Sequence, residues 1–128
     1  MALSKASSWR NFAYVAVDHA ECRAAISEIL TARGWRVEHR SSGFDLLDDL
    51  CDIISNERTQ GAPDLLVIDR HARGCSGTTI AHGLRDLGVD IPIVLVNRPG
   101  ERVEPSGREG IIHVASARAA TVIARIVV

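Results

Sequence analysis

Short apolar runs recur along the chain and predict strands. The runs at 12–17, 65–68 and 91–96 are apolar almost throughout, which is typical of central strands in a parallel sheet that is covered on both faces. Residues 35–39 alternate between apolar and polar side chains, as expected of a half-exposed edge strand. A shorter run at 111–114 brings the number of predicted strands to five.

The segments between these runs place apolar residues at helical spacing. This periodicity predicts helices over 20–33, about 43–57, about 78–87 and 117–127, with Ser116 as the cap of the last one. The apolar faces predicted for the first two helices are Ala25, Ile26, Ile29 and Leu30, and then Phe44, Leu47, Leu50, Cys51 and Ile54.

The segment 98–110 interrupts this alternation. It contains two prolines and three glycines where a fourth helix would be expected, so we predict a short helix or a loop there. Alternating strands and helices indicate βαβ units around a parallel sheet, an α/β fold with the connectivity (βα)₅. A chain of 128 residues accommodates one domain. We assign it to 12–128, after an N-terminal extension over 1–11.

The composition argues against several classes of protein. The chain is 46% hydrophobic and 24% charged with a net charge of −1, so it lacks the basic surface that nucleic-acid binding requires. No apolar run approaches the roughly 20 residues that span a bilayer, and residues 1–11 lack the apolar stretch of a signal peptide. The three cysteines form no CxxC pair. We therefore expect a cytoplasmic protein that contacts neither nucleic acid nor membranes directly.

Two acidic residues follow predicted central strands. Asp18 comes directly after the apolar run at 12–17, and Asp69 comes directly after the run at 65–68. Ligands of doubly wound sheets bind beyond the carboxyl ends of the strands, where these two carboxylates would converge. Two carboxylates form a hard oxygen site suited to Mg²⁺, and a carboxylate beside that metal can attack a phosphoryl group. Asp18 is also suited to cap the first helix, and Asp69 to cap the turn after its strand.

The motifs around Asp69 resemble those of a known family. Four features carry the resemblance: the pair Asp18-His19, the run Pro63-Asp64-Leu-Leu-Val-Ile-Asp69, Gly77 eight residues further on, and the strand from Pro92 to Asn97. In this pattern the chain resembles the receiver domain of response regulators in two-component signalling, in an atypical, pseudo-receiver-like form. The resemblance extends over residues 12 to 127.

The resemblance implies a fold and a set of roles. The fold is a flavodoxin-like, doubly wound parallel sheet with the strand order 2-1-3-4-5. Asp69 corresponds to the phosphoacceptor, Asp18 to an acidic ligand of Mg²⁺, and His71 to the position whose backbone carbonyl completes the coordination. His19 occupies the place of a second acid and is a further candidate ligand. Asn97 stands where the family has a Ser or Thr that contacts the phosphoryl group.

Several positions depart from the family pattern and predict a depleted site. His19 replaces a carboxylate that Mg²⁺ would prefer, and Asn97 replaces a hydroxyl. Arg98 stands where a small residue is usual, and it would either pair with phosphate or fill the pocket. The lysine expected after the fifth strand is missing, with Ala115 and Ser116 at its two candidate positions. Removing one oxyanion donor raises a reaction barrier by about 2.7–4 kcal/mol in a measured case, so these losses predict slow phosphotransfer and a weakened Mg²⁺ site.

The leading hypothesis is an atypical receiver that acts in a two-component or phosphorelay pathway. Its partner would be a histidine kinase, another signalling protein or an output domain outside this sequence. Analogy with the family adds a homodimer through the fifth strand and the last helix. Either Asp69 still accepts phosphate, or the fold is a docking surface that works without phosphate. The altered site favours the second case.

The alternative hypothesis is a domain that binds a small anionic ligand independently of phosphorylation. Its ligand would be held in the same crevice by Asn97 together with the cationic rim formed by Arg70, His71, Arg73 and Arg98. An enzyme is not expected, because the sequence shows no convincing nucleophile–base pair. The spacing of the histidines around the two aspartates does not match a zinc site.

Overall fold

The computed structural model describes residues 11–55, 62–103, 108 and 110–127, with the backbone alone at 53 and 54. It contains five strands, four α-helices and one 3₁₀ turn in this part of the chain. In chain order these are β1 (Phe12–Ala16), α1 (Ala20–Ala32), β2 (Arg36–His39), α2 (Gly43–Ser55), β3 (Leu65–Asp69), α3 (Gly77–Asp86), β4 (Ile93–Asn97), β5 (Ile111–Ala115), the 3₁₀ turn (Ser116–Arg118) and α4 (Ala119–Ile126).

The five strands form one parallel sheet. Their order is β2-β1-β3-β4-β5, with every neighbouring pair parallel, which confirms the predicted order 2-1-3-4-5. The strands β1, β3 and β4 are buried along their whole length, as their apolar runs predict. The edge strand β2 is only partly buried, which agrees with its alternating pattern.

Helices cover both faces of the sheet and create two apolar cores. On one face, α1 and α4 place Ile26, Leu30 and Ile123 against Val15 and Val67. The opposite core is formed mainly by Leu46, Leu50, Ile80, Leu84, Leu66 and Ile68 from α2, α3 and β3. Because side chains alternate along a strand, each central strand contributes to both cores. Burying one such aliphatic side chain contributes roughly 1.5–3 kcal/mol, so the sheet edge that carries Asp18 and Asp69 rests on a rigid base.

The predicted apolar faces of the first two helices are correct only in part. In α1 the buried residues include Cys22 in place of Ala25, which is exposed. In α2 the structure buries Leu46, whereas Phe44 is 68% exposed. Cys51 is also exposed, and the side chain predicted at position 54 lies outside the described residues.

The physical reason for the shifted face of α2 lies at Gly43. A Cβ atom added there would lie only 1.9 Å from the backbone oxygen of Cys75, and the Gly43 N–H donates a 2.8 Å hydrogen bond to the Arg73 oxygen. This close approach sets the rotation of the first helical turn and leaves Phe44 at the surface. A contact between residues about 30 positions apart therefore decides which side of the helix is buried.

The predicted cap at Ser116 is wrong. Residues Ser116–Arg118 form a 3₁₀ turn without a side-chain cap, and the α-helix begins at Ala119. The Ser116 carbonyl instead accepts a contact from the Cys22 thiol at 3.5 Å. The hydrogen bonds of the tight turn replace the cap, because they satisfy backbone groups at the helix start.

Between β4 and β5 the described residues, 98–103, 108 and 110, form turns and irregular backbone without a regular helix. This agrees with the predicted loop, while positions 104–107 and 109 lie outside the described residues. Of the predicted N-terminal extension only Asn11 is described, and its carbonyl accepts a 2.9 Å hydrogen bond from the Arg36 N–H. None of the described helices is long and apolar enough to cross a membrane.

Candidate functional site

Asp69 is the last residue of β3 and lies at the carboxyl edge of the sheet. It is 9% exposed and pairs in register with Val96 on β4. Its Oδ1 accepts a 2.9 Å hydrogen bond from the backbone N–H of His71, and its backbone oxygen accepts one of 3.0 Å from Ala72. The carboxylate is thus held in a tight turn and is almost completely buried.

Gly77 gives the chain the room to make this turn. A Cβ atom at Gly77 would lie 2.4 Å from the backbone oxygen of Asp69 and 3.0 Å from the side chains of Ile68 and Leu95. The Gly77 N–H also donates to the Arg70 oxygen at 3.1 Å, and Ser76 caps α3 by accepting from the Thr79 N–H. The eight-residue spacing therefore brings the start of α3 directly against the strand end that carries Asp69.

Asp18 and His19 follow β1, the neighbour of β3 in the sheet. Asp18 is exposed, and the alternative interpretation that it caps α1 is wrong, because His19 is the cap. The His19 Nδ1 accepts a 3.2 Å hydrogen bond from the Cys22 N–H. Arg23 donates back to the Val17 oxygen at 3.2 Å. The ring nitrogen nearest the His19 backbone is therefore engaged in a structural role.

The donor set at this edge fits Mg²⁺ poorly. Within the described part of the chain, no three His, Cys, Asp or Glu side chains cluster in a way that could hold a metal ion. Mg²⁺ prefers near-octahedral oxygen ligands, whereas the side chains predicted as ligands are the carboxylates of Asp18 and Asp69 and the imidazole of His19. The Nδ1 of that imidazole already accepts the capping hydrogen bond.

Asn97 ends β4 beside the crevice and is almost completely buried, with 1% of its surface exposed. Its Nδ2 donates a 2.9 Å hydrogen bond to the backbone oxygen of Arg102. Its Oδ1 is buried and accepts no hydrogen bond from the described residues. The amide that stands at the predicted phosphoryl-contact position therefore fastens the loop after β4.

A residue that the sequence analysis missed, Glu101, lies across the mouth of the crevice. Its Oε2 accepts a 2.5 Å hydrogen bond from His71 Nε2 and lies 3.5 Å from an Arg70 guanidinium nitrogen. Its Oε1 accepts a 2.9 Å hydrogen bond from the backbone N–H of Arg98. The signal in the sequence was the position of Glu101 three residues after Arg98, where an acid can offset the charge of the predicted cationic rim.

These contacts determine the electrostatics of the mouth. The hydrogen bond from His71, followed by the one from the Arg98 N–H, holds the pKa of the Glu101 carboxyl below its usual value of 4.5. The carboxylate is therefore charged at neutral pH and offsets the cations around it. The side chains of Arg98 and Arg73 are exposed, and Glu101 places an anion beside Arg70 and His71, two of the four residues predicted to form a cationic rim.

The far side of the crevice is formed by the end of β5 and the start of α1. Ala115 pairs with Asn97, and a cleft of about 340 Å³ is lined by His19, Glu21, Cys22, Ala25, Pro99, Ser116 and Ala117. Burial and then the charge of Asp69 raise the pKa of the Cys22 thiol above its usual value of 9.0. Short neutral side chains thus occupy the positions where the family resemblance places a lysine.

Comparisons with known proteins place the fold. No family model matches the sequence, and no curated protein matches it. A response regulator receiver domain protein from Bacillus halodurans superimposes with a TM-score of 0.63 at 13% identity, over 91% of this chain and 93% of that one. The receiver domain of the Francisella response regulator 1452 gives a TM-score of 0.64 at 16% identity, over 92% and 96%.

A third structure is the N-terminal domain of a response regulator/sensory box/GGDEF three-domain protein from Carboxydothermus hydrogenoformans. It superimposes with a TM-score of 0.65 at 20% identity, over 91% of this chain and 90% of that one. Sequence identities are low, so these likenesses concern the backbone arrangement. Combined with the observed strand order, they show that this chain has the flavodoxin-like fold of the response-regulator receiver domains.

Proposed function

We propose that the chain is an atypical receiver domain of two-component or phosphorelay signalling that regulates its partner as a docking module rather than through an efficient phosphoryl switch. Asp69 is the candidate phosphoacceptor. The proposal depends chiefly on one observation: the polar side chains around Asp69 are already engaged in hydrogen bonds within the protein. Asn97 holds the Arg102 carbonyl, and His71 holds the Glu101 carboxylate.

Phosphorylation of a carboxylate needs donors aimed at the charge that develops on the transferred group. In this chain Arg70 and His71 face Glu101, and the lysine position is filled by Ala115 or Ser116. Glu101 also adds a negative charge at the mouth, which repels an incoming phosphoryl group. With a donor set that fits Mg²⁺ poorly, the site favours slow phosphotransfer or none.

The partner is a second part of the proposal. We expect a histidine kinase or another signalling protein, or an output domain outside this sequence. The similar domain from Carboxydothermus hydrogenoformans belongs to a three-domain protein, which supports an arrangement of that kind. A homodimer through β5 and α4, a cytoplasmic location and the absence of enzymatic activity remain predictions.

The test is an NMR titration of the ¹⁵N-labelled chain with Mg²⁺, with beryllofluoride, and with both together. We expect the amides of 70–77 and Asn97 to show no change that requires both additions. Asp69→Asn is the matched control, since it removes the acceptor charge with little change in volume. Changes that need both additions and vanish in Asp69→Asn would establish a working phosphoswitch and contradict the docking proposal.

The hydrogen bonds of Glu101 support a second candidate function, binding of a small anion. Arg70, His71 Nε2 and the Arg98 N–H already hold a carboxylate, and an external anion of similar shape would compete for them. Glu101→Gln should therefore strengthen binding of inorganic phosphate in calorimetry relative to the unchanged chain. The control is Glu28→Gln on the exposed side of α1. Equal binding by all three proteins would exclude this function.

A further inference from the structure

Helix α2 carries apolar side chains that lie outside the two cores, together with Leu47, which packs only partly against one of them. Phe44 at its first turn is 68% exposed, Leu47 one turn further is half-buried, and Cys51 after it is exposed. These residues recur at three- and four-residue spacing, which places them along one side of the helix. Together with Asp45 and Asp48 they line a shallow groove of about 310 Å³. We call Phe44, Leu47, Asp48 and Cys51 the α2 surface.

Acidic side chains flank the α2 surface. Asp45 accepts a 2.8 Å hydrogen bond from the Ser41 hydroxyl, and Asp49 pairs with Arg40. Asp48 is exposed and forms no hydrogen bond or ion pair with another described residue, although it also lines a neighbouring pocket together with Arg23 and Arg40. The groove therefore combines exposed apolar surface with two carboxylates, and no basic side chain is among the described residues that line it.

The α2 surface lies directly against the loop that follows Asp69. A Cβ atom added at Gly74, whose φ is +85°, would lie 3.0 Å from the Cβ of Phe44. Gly43 donates to the Arg73 oxygen at 2.8 Å. A partner seated on Phe44 would contact or displace the loop 72–75, which begins only three residues after Asp69.

We propose that the α2 surface docks a partner segment that carries apolar and basic side chains together, such as one face of a basic amphipathic helix. Its apolar residues would cover Phe44 and Leu47, as in other helix-in-groove complexes. Its lysines or arginines would pair with Asp48, so charge complementarity selects this occupant over an acidic or a purely apolar one. The inference goes beyond the proposed docking module by naming its surface and the chemistry of its partner, and it requires neither phosphorylation nor metal binding at Asp69.

The test uses the full ¹⁵N-labelled chain and two synthetic helical peptides. One peptide has leucine on one face and arginine on the other, and the matched peptide has glutamate in place of arginine. We expect the basic peptide to shift the amides of the α2 surface and of 72–75, and the acidic peptide to shift neither. Phe44→Ser and Asp48→Lys should each weaken binding about tenfold, as removal of a central contact does in other interfaces.

Two matched control variants distinguish specific binding of the basic peptide at the α2 surface from non-specific binding to exposed apolar or acidic side chains. Leu87→Ser removes an equally exposed apolar side chain, since Leu87 is 71% exposed at the end of α3. Glu28→Lys reverses an exposed acidic residue on α1. We expect both to bind the basic peptide like the unchanged chain, and circular dichroism checks that all four variants are folded.

Three outcomes would overturn the inference. The first is equal loss of binding in the controls and in the α2 variants. The second is a dependence of the Phe44 amide shift on protein concentration, which would show that a second copy covers the surface. The third is a change of that shift in a chain that lacks residues 1–10, which would show that the N-terminal segment covers it.

Discussion

Gly43 and Gly77 are required because a Cβ atom would not fit at either position, rather than because of their backbone conformation. Neither Gly43 nor Gly77 has a positive φ, yet an added Cβ would lie within 2.4 Å of a backbone oxygen at both positions. Backbone atoms move less easily than the end of a flexible side chain, so a substitution there must shift a strand end or a loop. At Gly77 the atom in question belongs to Asp69 itself. The backbone position of the candidate phosphoacceptor thus depends on the absence of a Cβ atom at position 77.

Gly77→Ala should therefore lower the free energy of unfolding by about 1–3 kcal/mol, the usual range for overpacking. Gly83→Ala is the matched control in the same helix, because nothing lies within 4 Å of its added Cβ. That variant should be unchanged or more stable by up to about 1 kcal/mol, since alanine favours helix. Urea unfolding monitored by circular dichroism measures both. Equal stability of the two variants would show that the backbone at Asp69 moves to accommodate the added Cβ without lowering the free energy of unfolding.

At the scale of elements, the rotation of α2 decides which of its apolar residues support the fold. Leu46 is completely buried, with 0% exposure, while Phe44 two residues earlier is 68% exposed. Both residues are apolar, and periodicity by itself favours a face that includes Phe44. The contact of Gly43 with the loop after β3 favours the other rotation.

Leu46→Ala should cost about 2–5 kcal/mol of unfolding free energy, because it leaves a cavity among buried side chains. Phe44→Ala keeps the Cβ beside Gly74 and removes only an exposed ring, so it should change stability by no more than about 0.5 kcal/mol. Thermal or urea unfolding of the two variants distinguishes these rotations. A larger loss in Phe44→Ala than in Leu46→Ala would support the face predicted from the sequence.

A second element-scale feature is the connection between the loops after β3 and β4. Glu101 joins them through His71 and Arg70, and Asn97 fixes the same segment through the Arg102 carbonyl. The pKa of Glu101 is lowered in the folded state, so its ionised form stabilises the fold. This contribution is present above the unfolded-state pKa and is lost as pH falls through the lower folded-state pKa.

Glu101→Gln should therefore be less stable than the unchanged chain at neutral pH, and the difference should shrink as pH falls below the ordinary carboxyl pKa of 4.5. The pair is partly exposed, so the difference should not exceed about 1 kcal/mol. Urea unfolding at several pH values measures it. Glu28→Gln, which alters an exposed acid on α1, is the control. Its difference in unfolding free energy from the unchanged chain should not shrink as pH falls. A difference that stays constant down to acid pH would contradict the role of the carboxylate charge.

At the scale of the whole molecule, the domain is one sheet between two helical layers, with β3 at its centre and β1 and β4 on either side. Phe12 begins β1 and is 4% exposed. Its N–H donates to the Asp64 carboxylate at 2.9 Å, and the Arg36 guanidinium lies 4.3 Å from its ring centre. The sheet therefore uses the chain from Asn11 onwards, while the N-terminal boundary of the domain at residue 12 stays a prediction, because residues 1–10 lie outside the described part of the chain.

If the domain begins at residue 12, as the sequence predicts, removal of residues 1–10 should change the free energy of unfolding by no more than about 0.5 kcal/mol. Removal of residues 1–12 should cost about 3–5 kcal/mol, since it deletes the buried Phe12 ring. Urea unfolding of the two truncated chains tests the boundary. Substantial destabilisation by the shorter truncation would place part of the N-terminal segment within the folded domain.

The sequence predicted the fold well where local patterns determine structure. Continuous apolar runs indicated β1, β3 and β4 because a strand buried on both faces needs apolar residues at every position. Prolines and glycines indicated the loop after β4 because they disfavour a helix. The position of Asp69 at a strand end followed directly from the length of its apolar run. The interpretation of Asp18 as a cap failed because a histidine nitrogen can accept the same hydrogen bond, and His19 is one residue closer to the helix.

The sequence by itself therefore determined the number and order of the elements and the place of Asp69, because periodicity and turn residues act over short distances along the chain. Tertiary structure alone decided what surrounds Asp69. Glu101 meets His71 across 30 positions of sequence, and the rotation of α2 follows from the contact of Gly43 with Cys75. Such contacts depend on how distant segments pack, and no local pattern encodes them. The same packing leaves Phe44 exposed beside the loop of Asp69.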